Sequence, residues 1–192
     1  MIRIGILGDI GSGKTYVARQ FGYPVFNADN EVTKLYRTNR RCFNVLKKKF
    51  PSFVFSFPIK KSELSNAINR KKKNLKIIEK IIHPEIQKKM KKFIKKNKNK
   101  KIVILDIPLF MENRLNKKND ILIFVDPNKK EANKRLKKRI NFSKKMIKKL
   151  KKTQFSLNFK KRHSNFIIKN NFKRNDVKKN VKKVLKKILL HA

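Results

Sequence analysis

A glycine-rich octapeptide near the start of the chain has the most specific chemistry in this sequence. Residues Gly8–Thr15 read Gly-Asp-Ile-Gly-Ser-Gly-Lys-Thr and match the pattern G-x-x-x-x-G-K-S/T at every position. Glycines permit a tight turn that points backbone N–H groups inward, and the following helix adds its positive dipole end. Lys14 can reach the β- and γ-phosphates of a nucleotide, and the Thr15 hydroxyl can ligate Mg²⁺. The octapeptide therefore predicts a nucleoside triphosphate site, formed by Gly8, Gly11, Ser12, Gly13, Lys14, Thr15 and the adjoining Tyr16.

Two aspartates follow short apolar runs and are candidates for the acid chemistry of phosphoryl transfer. Asp29 follows the run that ends at Phe26, so we expect it at the carboxyl edge of a sheet, on the same rim as the phosphate loop. There it could accept a proton from an attacking hydroxyl, or it could equally be the N-cap of a helix that begins at Asn30. Asp106 ends the next apolar run and could orient Mg²⁺ through water.

Two arginines stand four residues apart in a basic helical segment. Arg135 and Arg139 would share one helix face and could each grip phosphate oxygens through two hydrogen bonds. Taken without the phosphate loop, both would be interpreted as solvated surface cations.

The elements that must position these residues alternate between strands and helices along the chain. Continuous apolar runs predict strands at Ile2–Leu7, Tyr23–Phe26, Lys101–Asp106, Ile121–Val125 and Phe166–Ile168. Helical spacing predicts helices over 14–21, 30–36, 60–98, 129–139, 143–155 and 176–190, with Pro84 expected to break the third. The alternation is typical of an α/β protein with a mainly parallel sheet flanked by helices.

Composition sets the limits on the class of protein. With 192 residues, 39% of them hydrophobic, the chain can form one domain with a proper core, and its short apolar runs argue against a membrane span. A single cysteine, Cys42, and a nucleotide pattern that starts at once predict a cytoplasmic protein without a secretory leader. The net charge of +43 would suit a polyanion partner. However, the abundance of Lys, Asn and Ile, which share A/T-rich codons, favours a biased genome instead.

Several motifs together give the chain a specific resemblance. They are Ile4–Thr15, Val25–Asp29, the run Ile82-His83-Pro84, the segment Leu105–Glu112, the run Lys134–Arg139, Gln154, and Ile167–Asn171. In their order and approximate spacing the chain resembles the dephospho-CoA kinase family over nearly its whole length. The Asp-x-Pro-Leu-x-x-Glu segment and the His-Pro pair carry more of this resemblance than the phosphate loop does.

The resemblance implies transfer of the ATP γ-phosphate, with Mg²⁺, to the ribose 3′-hydroxyl of dephospho-CoA, giving coenzyme A and ADP. It implies one P-loop kinase domain over 1–192, with a core (1–59, 101–138 and 161–192), a helical substrate region (60–100) and a lid (139–160). It further implies Asp29 as general base; Lys14, Arg135 and Arg139 as stabilisers of charge on the transferred group; Asn170 at the nucleotide; Thr15 and Asp106 at the metal; and His83, Pro108, Glu112 and Lys160 at the substrate. A monomer or weak homo-oligomer without a specific nucleic-acid or membrane partner is expected.

The chain also departs from the family pattern at several positions. Asp9 and Leu7 stand where the family usually has Gly and Thr, Asn27 stands where an acid is common, and Leu157 stands at a frequent Arg position. We expect the Asp9 side chain to point to solvent, and Lys160 and Arg162 to compensate for Leu157.

Two other functions stay open on the sequence alone. The chain could be another small P-loop kinase that acts on a nucleoside or metabolite hydroxyl. It could also be a basic nucleic-acid-binding protein with a vestigial phosphate loop, which would bind without ATP and with a steep salt dependence.

Overall fold

The apolar runs of the sequence form a parallel sheet in the computed structural model, which describes residues 1–71, 73–138 and 151–190. Its strands are β1 (Ile2–Gly8), β2 (Val25–Asn27), β3 (Ile102–Asp106), β4 (Ile121–Pro127) and β5 (Phe166–Asn170), in the order β2-β3-β1-β4-β5. Neighbouring strands pair in parallel throughout. β3 is buried at every residue, as expected of a parallel strand covered on both faces. The predicted α/β class is confirmed.

Helices connect these strands in the described residues. They are α1 (Lys14–Gln20), α2 (Ala28–Thr38), α3 (Arg40–Lys49), α4 (Lys61–Arg70), α5 (Lys73–Lys96), α6 (Lys129–Lys137), α7 (Leu157–Arg162) and α8 (Arg174–Leu190). None of them is long and apolar enough to cross a membrane.

The chain divides into two units, and the larger one holds the sheet. This first unit comprises Met1–Asn27 and Asn97–Ala192, and the second comprises Ala28–Lys96. The core of the first unit lies where α1 and α8 pack against the sheet. Its buried side chains are mostly β-branched residues of the strands and small or aliphatic residues of the two helices: Ile4, Ile6, Val17, Ala18, Phe21, Ile102, Ile104, Ile123, Val125, Ile168, Val177, Val181, Val184 and Ile188.

The second unit is built from α2, α3, α4 and α5. The long helix α5 contacts each of the other three helices. A buried carboxylate, Glu63 of α4, accepts hydrogen bonds from the backbone N–H groups of Phe55 and Ser56 at 3.1 and 3.4 Å, and also from the Ser56 hydroxyl. Burial raises the pKa of the Cys42 thiol, which lies in α3, to about 11, so this thiol stays protonated in the folded unit. The predicted division of the chain into core, substrate region and lid stays a prediction.

The predicted break at Pro84 is wrong, because Pro84 lies inside α5. Proline removes one helical hydrogen bond and costs about 3 kcal/mol in a helix interior. Side chains on both sides of it, Ile78, Ile82, Ile86 and Met90, are buried at helical spacing, and their packing offsets that cost. The actual break comes at Lys71, whose extended backbone ends α4.

Other element boundaries also differ from the prediction. α2 begins at Ala28, two residues before the predicted start, so Asp29 lies within its first turn. α3 was not predicted; the side chain of its N-cap residue Asn39 accepts a hydrogen bond from the Cys42 N–H at 2.8 Å. Most of the predicted helix over 143–155 lies outside the described residues, and the short α7 follows it, N-capped by Ser156.

A buried ion pair joins the start of β1 to the turn before β4. Arg3 Nη2 lies 3.0 Å from Asp120 Oδ2, and the two side chains are 11% and 2% exposed. Asp120 also accepts a hydrogen bond from the Lys117 N–H at 2.9 Å. Burial raises the pKa of the Asp120 carboxyl, while the Lys117 N–H and the Arg3 guanidinium oppose that rise.

Replacement of Asp120 should therefore weaken the fold strongly. We expect Asp120→Ala to lower the free energy of unfolding by about 3 kcal/mol, because it leaves the Arg3 charge buried without a counter-ion. Asp126→Ala removes the acid of an exposed pair with Lys161 and should cost less than about 1 kcal/mol. Urea unfolding followed by circular dichroism measures both, and equal losses in the two variants would contradict a structural role for the buried pair.

Candidate active site

The glycine-rich loop connects β1 to α1 and has the backbone geometry that its glycines require. Gly8, Gly11 and Gly13 have φ values of 148°, 80° and 83°, which L-residues with a side chain rarely adopt. The loop is also closely packed. A Cβ at Gly11 would come within 2.6 Å of the Leu136 side chain of α6, and one at Gly13 within 2.4 Å of the Asn170 amide.

Asn170 supports the loop from the end of β5. Its amide Nδ2 donates to the Ser12 carbonyl oxygen at 2.8 Å, and its Oδ1 accepts from the Phe172 N–H at 2.9 Å. The side chain is buried, so it contacts the loop rather than solvent. The sequence resemblance implies that Asn170 contacts the nucleotide, and the observed hydrogen bonds let it act by holding the loop in shape.

Lys14 lies along the same loop. Its Nζ donates to the carbonyl oxygens of Asp9 and Gly8 at 2.8 and 3.2 Å. The cation is therefore held at the loop itself, next to the backbone N–H groups at the start of α1. This position suits it to a phosphate bound in the loop.

A hydroxyl and a carboxylate meet at the carboxyl edge of the sheet. The Thr15 hydroxyl donates to Asp106 Oδ2 at 2.6 Å, and the Asn27 amide Nδ2 donates to the same oxygen at 2.5 Å. The register explains this contact, because Asn27 lies directly opposite Asp106 in the β2–β3 pairing. Asn27 was noted in the sequence only as a departure from the family pattern, and its place at the end of a strand was the signal for a site role.

This pair could hold a divalent cation together with a nucleotide. No group of three or more His, Cys, Asp or Glu side chains suited to a metal occurs among residues 1–71, 73–138 and 151–190. Mg²⁺ commonly takes one or two protein oxygens and completes its shell with phosphates and waters. The Thr15 hydroxyl and the Asp106 carboxylate supply oxygens of that kind at the end of the phosphate loop.

The acid within the loop has a partner. Asp9 Oδ2 lies 2.9 Å from Lys151 Nζ, and Asp9 Oδ1 accepts from the Ile10 N–H at 2.7 Å. The expectation that Asp9 points to solvent is wrong, because its side chain is only 17% exposed and both oxygens are engaged. Lys151 was not among the predicted site residues, and no local pattern distinguishes it from its many lysine neighbours.

Glu112 and Lys160, both expected at the substrate, form a buried ion pair. Their closest atoms, Glu112 Oε1 and Lys160 Nζ, are 2.8 Å apart, and the side chains are 9% and 4% exposed. Lys160 also donates to Gln154 Oε1 at 3.0 Å, and Glu112 Oε1 accepts from the Phe155 N–H at 2.9 Å. The other Glu112 oxygen, Oε2, is buried and has no hydrogen-bond partner in the described structure. The pair anchors the segment that contains Gln154 and α7.

The remaining predicted residues are spread over the two units. The Arg135 guanidinium lies 4.7 Å above the centre of the Phe172 ring, at the exposed end of α6. Tyr16 is half-buried against the core, Pro108 is exposed after β3, and Arg139 lies outside the described residues. Asp29 and His83 are exposed residues of the second unit, on α2 and α5.

A parallel sheet of this order, with the phosphate loop between β1 and α1 and a Thr–Asp contact at its carboxyl edge, is that of a P-loop kinase. Two solved structures share the fold. The Thermus thermophilus protein TT1252 has a TM-score of 0.74 at 24% identity, covering 99% of this chain and 97% of its own. A dephospho-CoA kinase from Campylobacter jejuni has a TM-score of 0.64 at 24% identity, covering 97% and 96%.

The sequence comparisons narrow the class to one family. The family model of dephospho-CoA kinase matches residues 2–176. The dephospho-CoA kinase of Bartonella henselae is 35% identical over 170 residues, which cover 86% of this chain and 87% of that protein. The chain belongs to the dephospho-CoA kinase family, and it is a kinase of coenzyme A biosynthesis. The resemblance inferred from the motifs is confirmed, and the nucleic-acid alternative is not favoured.

The Asn27 contact leads to a prediction about cations. In Asn27→Asp, two carboxylates would face each other where an amide now donates to Asp106. We expect the unfolding midpoint in EDTA to fall by about 3–8 °C, because like charges repel at this distance. Added MgCl₂ should raise the midpoint of this variant more than that of the wild type, as measured by differential scanning calorimetry.

Asn27→Ala is the matched control for charge. It removes the same hydrogen bond without adding a carboxylate, so its response to MgCl₂ should equal that of the wild type. If both variants respond equally, Asn27 does not control the charge of this site.

The buried Glu112–Lys160 pair leads to a second prediction. Lys160→Met keeps the apolar stem but leaves the Glu112 carboxylate buried without its cation, and we expect a loss of about 3 kcal/mol in unfolding free energy. Its neighbour Lys161 pairs with Asp126 at the surface, so Lys161→Met should cost less than about 1 kcal/mol. Urea denaturation compares the two, and a similar small loss in both would show that the buried pair is not an anchor.

Proposed function

We propose that this chain transfers the γ-phosphate of ATP, with Mg²⁺, to the ribose 3′-hydroxyl of dephospho-CoA, giving coenzyme A and ADP. Membership of the family names the reaction. The observation that carries it for this chain is the contact of Thr15 with Asp106 beside the phosphate loop, at 2.6 Å. Because of this contact, the phosphate-binding backbone, the Lys14 ammonium and the oxygens that could hold Mg²⁺ lie together, as phosphoryl transfer requires.

The residues of the loop bind and orient the triphosphate in this proposal. Backbone N–H groups at the start of α1 donate to phosphate oxygens, and Lys14 exchanges the loop carbonyls for the β- and γ-phosphates. Thr15 and Asp106 would hold Mg²⁺, which supplies positive charge to the phosphates when bound. Asn27 keeps the Asp106 carboxylate in one orientation through its amide hydrogen bond.

Asp29 is the proposed general base. It is an exposed acid in the first turn of α2, two residues along the chain from the end of β2. Its carboxylate would accept the proton of the 3′-hydroxyl as the oxygen attacks the γ-phosphorus, and ADP would leave on the opposite side. An aspartate in the first helical turn is also favoured by the dipole of that helix.

Cationic residues would stabilise the charge that develops on the transferred group. We propose this role for Lys14, Arg135 and Arg139, and Arg135 is already held at its position by the Phe172 ring. Substrate contacts are proposed for His83, Pro108, Glu112 and Lys160. Glu112 and Lys160 would also affect substrate binding indirectly, because their ion pair anchors the segment that contains Gln154 and α7.

We further infer a cytoplasmic enzyme that is monomeric or weakly oligomeric. Cys42 supports the reducing compartment, because the one cysteine of the chain is a buried thiol. Dephospho-CoA is the small-molecule partner, and a specific nucleic-acid partner is not expected.

Coupled ADP release tests the reaction and the base together. Wild type should turn over with dephospho-CoA but not with adenosine or shikimate as acceptor. Asp29→Asn should lose about 10²–10⁴-fold in kcat, because a neutral amide cannot take the proton. Its Kd for ATP, measured by isothermal titration calorimetry, should stay within about two-fold of the wild-type value, since ATP binding does not need the base.

Each other outcome has a distinct meaning. Turnover with adenosine or shikimate would keep the kinase and overturn the proposed acceptor. A wild type that binds ATP but phosphorylates none of the three acceptors would overturn the proposed reaction. Full activity in Asp29→Asn would remove Asp29 from the mechanism and leave the reaction in place.

A further inference from the structure

An acidic side chain lies inside the phosphate loop, where it should oppose the binding of an anion. Asp9 is the second residue of the loop, and its own carbonyl oxygen accepts a hydrogen bond from Lys14 Nζ at 2.8 Å. The residue whose carbonyl oxygen accepts the Lys14 hydrogen bond therefore also carries a carboxylate. A fixed negative charge in such a position repels a triphosphate.

The structure supplies a partner for this charge from a distant part of the chain. Lys151 Nζ lies 2.9 Å from Asp9 Oδ2, although the two residues are far apart in sequence. The other oxygen, Oδ1, is fixed by the Ile10 N–H at 2.7 Å. The carboxylate is thus held in a single orientation, with one oxygen on the backbone and the other on the ammonium group.

Lys151 is itself connected to an anchored segment. The Gln154 N–H donates to the Lys151 carbonyl oxygen at 3.2 Å, and the next residue, Phe155, donates its N–H to buried Glu112. These hydrogen bonds fix the backbone near Lys151. Holding its ammonium at Asp9 therefore costs less conformational entropy than it would for a lysine on an unanchored segment. The chain has 55 basic residues, but Lys151 is the one whose ammonium lies at this carboxylate in the described residues.

We propose that Lys151 is a positioning residue for nucleotide binding, and that it acts by neutralising Asp9. The ion pair removes the repulsion that a bare carboxylate would exert on the triphosphate. It also keeps the loop in the conformation in which Lys14 donates to the Gly8 and Asp9 carbonyl oxygens. The inference rests on the proposed use of ATP at this loop but not on the identity of the acceptor. Its specific consequence is that Lys151 increases the affinity for ATP only while Asp9 carries its charge.

A double-mutant cycle on ATP binding tests this consequence. The variants are Lys151→Gln, Asp9→Asn and the double variant, and Asp9→Asn keeps the oxygen that accepts from Ile10. Isothermal titration calorimetry with Mg-ATP and no dephospho-CoA gives each Kd. We expect Lys151→Gln to weaken ATP binding by roughly 3- to 15-fold, because the Asp9 charge in the loop would then be uncompensated. In the Asp9→Asn background the same change should alter the Kd by less than about 1.5-fold.

Two further variants separate the pair from general charge and from misfolding. Lys152→Gln removes a charge from the exposed next residue, and its small effect should be the same with Asp9 or Asn at position 9. Lys151→Arg keeps the charge and should restore most of the affinity for ATP. In steady-state assays KM for ATP should follow Kd, while kcat for dephospho-CoA stays within about two-fold, which a general loss of structure would not produce.

The cycle has clear contrary outcomes. An equal loss from Lys151→Gln in both backgrounds would show a general attraction to phosphate and overturn the proposal. No loss in either background would show that the ion pair has no effect on the nucleotide, which also overturns it. Failure of the proposed reaction is distinguishable, because it appears as wild type that binds ATP without phosphorylating dephospho-CoA.

Discussion

The parallel register of β2, β3 and β1 is the constraint on which the site depends. Asn27 lies opposite Asp106 in one pairing, and β1 ends at Gly8 where the loop begins. Side chains alternate between the faces of a strand, so a slip of one residue would move Asp106 to the other face of the sheet. The contact of Thr15 with Asp106 and the amide hydrogen bond of Asn27 exist only in the observed register. The phosphate loop alone could bind an anion, and the register adds the two oxygens that are proposed to hold Mg²⁺.

A second constraint follows from the scarcity of acids. The chain has 12 Asp and Glu residues against 55 Lys and Arg, so there are too few carboxylates for each cation to have one of its own. In the described residues, several of the acids lie where hydrogen-bond donors converge, and three of them also meet a cation. They are Asp9, Glu112 and Asp120, each with a cation, and Glu63 and Asp106, which accept from neutral donors. Each of them receives hydrogen bonds, which is the condition for keeping a charge partly or fully buried. In the described residues of the first unit, each ion pair joins segments far apart in sequence.

What the sequence could predict depended on how local the signal was. All five strands were found within two residues at each end, because a buried parallel strand is a continuous apolar run. The phosphate loop was found because its whole geometry is encoded in eight consecutive residues. Pro84 misled the prediction, since its local cost is outweighed by packing that only the folded second unit provides.

The unpredicted parts of the site are contacts between distant segments. Nothing near Lys151 in the sequence indicates that it meets Asp9, and nothing near Glu112 indicates that its partner is Lys160 rather than a substrate. The resemblance to the family implies Glu112 and Lys160 at the substrate, which stays a prediction, and it does not point to Lys151. The pairings required the chain to be folded, because no local period relates residues that lie tens of positions apart.

The fold also shows how lysines can accumulate to a net charge of +43 without disturbing the core. In α8 the residues Val177, Val181, Val184 and Ile188 are buried, and lysines occupy exposed positions between them. Lysine favours helices, and a change at an exposed helix position usually alters stability by less than about 0.5 kcal/mol. Lysine can thus accumulate on solvent faces while the apolar spacing that specifies the core is kept. Total charge therefore identifies no ligand here, whereas the Lys151–Asp9 pair is a specific contact at the phosphate loop, and its effect on nucleotide binding can be tested.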